Sequence, residues 1–387
     1  MAGIYIHIPF CKQACYYCNF HFSTLLGSRR EMVNSVIKEI EIRSDILKRN
    51  VENEISILSV PNEKIETIYF GGGTPSLLSE EELMSILSAI KTRYNVADDA
   101  EITFEANPDD INFEKLKSWK NAGINRLSIG IQSFLERDLL WMNRAHNAAQ
   151  ALNCIQLARE AGFQNFSVDL IFGTPNLTNE EWKENVQRVI DLQIPHIACY
   201  ALTVEPKTAL QKMISLKKKE DINTDMQAEQ YLILMQMLRS AGYEHYEISN
   251  FAKPGFRSRH NSSYWQGKKY IGFGPSAHSY DGKIRMWNKA NNAIYMRSLE
   301  ENCIPFEKEI LTQLQQLNEY IMTSLRTMEG MDLQFIEENF SANERSRIER
   351  LVKSEVEKEL FFMDENKMIL TDKGKLFADR ISVELFL

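Results

Sequence analysis

The chain has 387 residues, 44% hydrophobic and 25% charged, with a formal net charge of −8; this is ordinary globular composition, long enough for a core domain and one or two smaller ones. The acidic balance disfavours nucleic acid, and no run of about twenty apolar residues is present to span a bilayer. Six cysteines, three of them clustered, do not make a secreted disulfide framework, and the N-terminus lacks the regions of a signal peptide, so a reducing cytoplasm is the expected compartment.

The chain opens on an alternating run, Ile4 to Phe10, that reads as a strand. It leads into Cys11-Lys-Gln-Ala-Cys15-Tyr-Tyr-Cys18, a C-x3-C-x2-C loop. Three thiolates on one short loop can hold three corners of an iron–sulfur cube, because soft sulfur suits iron. A four-iron cluster held this way leaves one iron open. Other readings of the spacing stand beside that one. Cys15 and Cys18 alone could be half a zinc site or a redox dithiol, and His7 or His21 could complete a Cys3His zinc site. Three scattered buried cysteines are the blandest case. No second zinc knuckle is visible, since Cys154, Cys199 and Cys303 are isolated.

A helix is predicted over about 30–48, with Met32, Val33, Val36, Ile37 and Ile40 at helical spacing. A short apolar strand, 64–70, runs into Gly71-Gly72-Gly73-Thr74-Pro75, and Ser79 with Glu82 makes a capping box for the next helix. The pattern then repeats. Strands are expected at 102–106, 126–132, 166–172 and 196–202, with helices near 112–121, 148–161 and 179–191 between them. Six βα-spaced strands argue for a parallel sheet with helices outside it, fewer than the eight of a closed barrel. The charged stretch 215–224 reads as an exposed loop, followed by a helix over 226–241. An aromatic, Gly- and His-rich segment extends to about 281, and from about 304 the composition turns helical. The tail 367–378 reads as strand, turn and helix, a winged-helix-like module. The expected division is 1–225, 226–303 and 304–387.

Several residues could carry chemistry. The glycines of 71–73, between strand and helix, let the backbone approach a ligand, although a tight turn alone would use one or two of them. The loop is neither a Walker A sequence nor G-x-G-x-x-G. Glu105, Gln132 and Asp169 each interrupt an apolar strand. A charge there is unfavourable to bury unpaired, and strand C-termini of α/β sheets often line ligand sites. Arg144 is a natural carboxylate partner, or else a surface cation. His260 stands in His260-Asn-Ser-Ser-Tyr264-Trp265; a histidine can ligate heme iron and flat aromatics suit a porphyrin face, but such a residue is more often a packed hydrogen-bonder.

The cysteine loop after a first strand, with Tyr17 before its last cysteine, resembles the radical S-adenosylmethionine (SAM) superfamily. The resemblance implies a partial (β/α)6 TIM-like barrel, here with a C-terminal mixed α/β and helical extension. It also implies a 4Fe-4S cluster on Cys11, Cys15 and Cys18, with SAM on the open iron and a GGGTP loop holding the methionine amino group. By similarity to oxygen-independent coproporphyrinogen III oxidases, the SAM contacts are Tyr5, Tyr17, Gly72, Gly73, Thr74, Glu105, Gln132, Arg144, Asp169 and Ala201. Those oxidases carry a fourth cysteine two positions after the third, where this chain has Phe20, and they have an N-terminal extension that it lacks. Both departures, and the complete H-N-x-x-Y-W motif, point to a sister group, the HemW-type heme chaperones. That resemblance implies heme as cargo, with His260 its expected axial ligand and His278, in Gly272-Phe-Gly-Pro-Ser-Ala-His278, a lesser candidate. It implies delivery to apo-hemoproteins such as respiratory enzymes, and leaves peripheral membrane contact and a homodimer open. The alternative is an oxidase-like radical SAM enzyme that abstracts hydrogen from a porphyrinogen side chain; a zinc-stabilised module with neither cofactor is the third reading.

Overall fold

The computed structural model describes residues 2–48 and 63–387. Its first half alternates strand and helix: β1 (Ala2–Ile8), α1 (Arg29–Lys48), β2 (Ile65–Gly72), α2 (Glu80–Arg93), β3 (Val96–Ala106), α3 (Phe113–Ala122), β4 (Arg126–Gln132), α4 (Glu136–Met142), α5 (Ala148–Glu160), β5 (Phe166–Phe172), α6 (Asn179–Asp191) and β6 (His196–Ala201). The segmentation follows local chemistry. Ser79 and Glu82 form the reciprocal capping box of α2, and Thr178 with Glu181 does the same for α6. Gly123, in the left-handed region, ends α3. Strands such as Phe166–Phe172 are nearly continuously apolar because both faces are covered, as in parallel sheets flanked by helices.

β1 to β6 pair in sequence order, all parallel. The sheet then continues at both ends. After α7 (Ala209–Ser215) and α8 (Thr224–Ser240) come β7 (Glu244–Glu247), β8 (Asn250–Ala252), α9 (Arg259–Trp265), β9 (Lys269–Phe273), β10 (His278–Tyr280), β11 (Ile284–Asn288), α10 (Asn292–Glu300) and β12 (Phe306–Ile310). β8 and β7 extend the β6 edge antiparallel, while β9 joins the free side of β1 in parallel and β10 to β12 continue outward. Among the described residues the twelve strands form one sheet whose outermost strands, β12 and β7, do not pair with each other. This is the partial TIM-like barrel expected.

The C-terminal module has α11 (Gln313–Leu325), β13 (Met331–Asp332), α12 (Leu333–Asn339), α13 (Ala342–Glu357), β14 (Phe361–Asp364), β15 (Lys367–Leu370), α14 (Asp372–Lys375) and α15 (Ala378–Leu385). Its three-stranded sheet, ordered β13-β15-β14, and its helices enclose a core of their own around Ile321, Met331, Ile336, Ile348 and Met368. The strand, turn and helix expected over 367–378 are present as β15 and α14, and β14 was not legible beforehand. The module is tied to the barrel by Arg326, which pairs with Glu247 at 3.2 Å and lies over the Trp265 ring. Stretch 215–224 is mostly exposed as expected, except that Lys219 Nζ donates to the Trp141 carbonyl and sits over the Trp141 ring.

Candidate functional site

The three cysteines face one cavity of about 470 Å³ at the C-terminal end of the parallel strands. The loop is held from several sides. Phe10 and Ser23 bridge its ends, Tyr16 N–H donates to the Met142 carbonyl, and Asn143 Nδ2 donates to the Ala14 carbonyl at 2.8 Å. Lys12 pairs with Asp109 and Asp110. Asn143 adopts the left-handed region to end α4, which turns the next residue, Arg144, inward. Arg144 then donates to Cys15 Sγ at 3.3 Å, to Asn107 Oδ1 at 2.7 Å and to the Gly130 carbonyl at 2.8 Å. Its Nε is buried without a partner. Thr74 Oγ1 donates to Cys11 Sγ at 3.4 Å. Burial pushes the Cys11 thiol up to about 11 against that hydrogen bond.

The glycines of the 71–73 loop are there for want of space. Gly72 has φ +104°, and a Cβ on it would lie 2.5 Å from the His7 ring; one on Gly73 would lie 2.6 Å from the Phe10 carbonyl. Gly72, Gly73 and Thr74 line the cysteine cavity together with Tyr17. From the strand ends come Glu105 on β3, Gln132 on β4, Asp169 on β5 and Ala201 on β6, with Arg144 across from them. Gln132 has φ 68°, an uncommon conformation outside glycine that marks the strand end where it faces the cavity.

Two half-buried carboxylates therefore face one space. Burial pushes Glu105 up to about 7, opposed by the Tyr69 hydroxyl that donates to it at 2.7 Å and reinforced by Asp169. Burial likewise pushes Asp169 up to about 6, with Arg126 opposing. Neither carboxylate forms an ion pair among the described residues, although Arg126 and Arg144 act on Asp169 from a distance, which suits a positively charged guest.

The structure sends two expected residues elsewhere. Tyr5 lines a second, larger cavity of about 950 Å³ between β1, β9, β10 and helices α11 and α12. His260 is buried: one ring nitrogen pairs with Thr67 Oγ1 at 2.8 Å and the other with Tyr264 Oη at 2.9 Å, and Tyr69 stacks on it 5.0 Å away. It is thus not presented to an open space, because its helix turns it toward β2. His278, the lesser candidate, is exposed in the larger cavity, and His21 and the motif's Tyr264 and Trp265, all half-buried, line it too. His7 Nε2 donates to the His21 carbonyl at 2.8 Å and its Nδ1 accepts from Tyr5 Oη at 3.1 Å, so it has no nitrogen left for zinc. Among the described residues no three His, Cys, Asp or Glu side chains close on a point that one metal ion could share. Separated thiols around one cavity, flanked by an Arg and a Thr donor, fit the spread corners of a four-iron cluster better than mononuclear zinc. Asn107 and Tyr69, which order Arg144 and Glu105, were missed; each sits on or just after an apolar strand, the same signal that exposed Glu105 itself.

Comparisons with known proteins agree. The family model described as the radical SAM superfamily matches residues 5–189. A heme chaperone HemW of Bacillus subtilis is 33% identical over 98% of both chains, and one of Escherichia coli is 35% identical over 75% of this chain and 74% of that one. Coproporphyrinogen III oxidase of Escherichia coli, a radical SAM enzyme, shares the fold with a TM-score of 0.80 at 22% identity, covering 100% of this chain and 90% of that one. No helix among the described residues is long and apolar enough to cross a membrane. The chain belongs to the radical SAM superfamily and, within it, to the family of the heme chaperones HemW.

Proposed function

We propose that this chain takes up heme and delivers it to apo-hemoproteins such as respiratory enzymes. It does so while carrying a 4Fe-4S cluster and SAM beside the heme. Cys11, Cys15 and Cys18 would hold the cluster, which would supply an electron to SAM bound beside it. Gly72, Gly73 and Thr74 supply close backbone and a hydroxyl. Glu105 and Asp169 offer negative charge to a cationic ligand, Arg144 positive charge to an anionic one. Tyr17, Gln132 and Ala201 shape the remaining wall, and Tyr5 stands behind it at the second cavity.

The observation that carries the reading is Phe20. It is 67% exposed, and with Asn19 it lines both the cysteine cavity and the larger aromatic cavity. An apolar ring is thus placed at the junction, where the oxidases it resembles would have a thiol. The larger cavity, walled by tyrosines, Trp265, Phe335 and Phe340, suits a flat macrocycle.

Heme titration of anaerobically reconstituted protein, alongside an assay for coproporphyrinogen III oxidation, tests this. Stoichiometric heme uptake with no oxidation is expected. Oxidation without heme uptake would make the chain an oxidase that works with Phe20 in place.

A further inference from the structure

We propose that Asn107 is a positioning residue of the cysteine site. Its carboxamide aims the two hydrogen-bond donors that reach the sulfurs of Cys11 and Cys15, and so sets the reduction potential of the cluster those cysteines hold. This rests on the reading above that the three cysteines carry a 4Fe-4S cluster.

The amide lies between the two donors. Asn107 Oδ1 accepts from Arg144 Nη2 at 2.7 Å, and Arg144 Nη1 donates to Cys15 Sγ at 3.3 Å. Asn107 Nδ2 donates to Thr74 Oγ1 at 3.2 Å, and Thr74 Oγ1 donates to Cys11 Sγ at 3.4 Å. The chemistry leaves one orientation. A guanidinium has no acceptor, so the amide oxygen must face Arg144 and the amide nitrogen Thr74. The Thr74 hydroxyl has a single hydrogen; with a lone pair taken by Asn107, that hydrogen is turned toward Cys11. The Arg144 fork is planar and rigid, so fixing Nη2 on Asn107 and on the Gly130 carbonyl also fixes where Nη1 points.

The amide is itself held still. Asn107 precedes Pro108, which favours its extended backbone, at φ −87° and ψ 144°. Its N–H donates to Ser76 Oγ at 3.3 Å, and Ser76 Oγ donates to Asp110 Oδ2 at 2.8 Å. Lys12, next to Cys11, pairs with Asp109 and Asp110 on the same turn. The turn after β3 thus grips the cysteine loop and directs the donors that face its sulfurs. Hydrogen bonds to the sulfurs favour the more negative, reduced state of a cluster and are among the levers that set its potential.

The test uses the full chain with its cluster reconstituted and no SAM added, in a redox titration followed by electron paramagnetic resonance. Asn107→Leu, close in shape and without either hydrogen bond, should shift the potential downward at unchanged cluster content per chain. Thr74→Val, which removes the donor to Cys11, should shift it downward too. Because Asn107 acts through Thr74 on that side, the shift in the double variant should fall short of the sum of the two. Asn107→Asp keeps an acceptor for Arg144 but has no donor for Thr74. It is the second variant if Asn107→Leu does not retain the cluster, and its downward shift should likewise shrink in the Thr74→Val background. An unchanged or higher potential in the Asn107 variants, or shifts that simply add to that of Thr74→Val, would overturn the assignment. Wild-type protein that takes up no cluster would instead remove the reading on which it rests.

Discussion

Tyr264 and His260, one helical turn apart on α9, meet edge to face with Oη 2.9 Å from Nε2. Tyr264 lines the large cavity while His260 is buried behind it on Thr67. The motif's histidine thus supports the cavity wall from within. Tyr264→Phe should leave a buried ring nitrogen unpaired and destabilise the protein by about 1–3 kcal/mol, read as a lower urea midpoint. An unchanged midpoint would mean that the contact carries no weight.

Glu39 and Arg43 form a fully buried ion pair on α1, and Glu39 also accepts from Gly274, Asn288 and Tyr295. Removing one partner of such a pair strands the other charge. Glu39→Ala should lower stability by about 3–5 kcal/mol and speed amide exchange in the 272–278 turn. Loss of stability without faster exchange there would show that Glu39 does not hold the turn.

On the proposed assignment, Glu105 and Asp169 give SAM binding a pH dependence. Both pKa values are raised, to about 7 and about 6. The folded, ligand-free protein thus binds more protons than the unfolded chain between about pH 4 and 7, so these two groups lower its stability as pH rises through that window. A cationic ligand needs them ionised. SAM affinity should fall about tenfold from pH 8 to pH 6 through Glu105 alone, by calorimetry, and Glu105→Gln should flatten that slope. A flat wild-type profile would contradict the pairing.

The buried histidines act in the opposite sense. Burial first of all lowers His7 and His146 to about 4, and His245 and His260 to about 3. All four fold neutral, so the unfolded chain binds the extra protons. Their contribution is intact above about pH 6.5 and is lost as pH falls toward 4 and 3. With His196 and His278 also lowered, six histidines outnumber the four raised carboxylates Glu105, Asp169, Asp138 and Glu319, so the urea midpoint should fall between pH 6.5 and 4.5. A midpoint that rises over that range would refute this balance.

Gly72 has two reasons to be glycine: its φ of +104° and the His7 ring 2.5 Å from any Cβ. Gly72→Ala should destabilise the protein by more than the about 1 kcal/mol of a left-handed alanine and weaken SAM binding. Full affinity in that variant would remove the loop from the SAM site.

The barrel was legible because each βα unit carries its own signals: apolar strands, the Ser79 and Thr178 caps, the Gly123 stop. The sheet's continuation was not, because β9 pairs with β1 across more than two hundred residues, and neither its length nor its pattern announces that partner. The site divides the same way. The cysteine spacing, the triple glycine and the polar breaks in apolar strands are local. Whether a histidine offers or hides its nitrogens is not: Thr67, 193 residues from His260, decides it. Glu39 and Arg43 could have been found, since they share the helical stripe of Val36 and Ile40, where a charge must be paired.

The central claim is that this chain carries heme. The most direct measurement is to load the cluster-bearing protein with heme, mix it with an apo-hemoprotein of distinguishable spectrum, and follow both spectra while assaying coproporphyrinogen III. The account predicts that heme leaves this chain and appears in the recipient, with the porphyrinogen untouched. Porphyrinogen consumption by a protein that neither holds nor yields heme would contradict it.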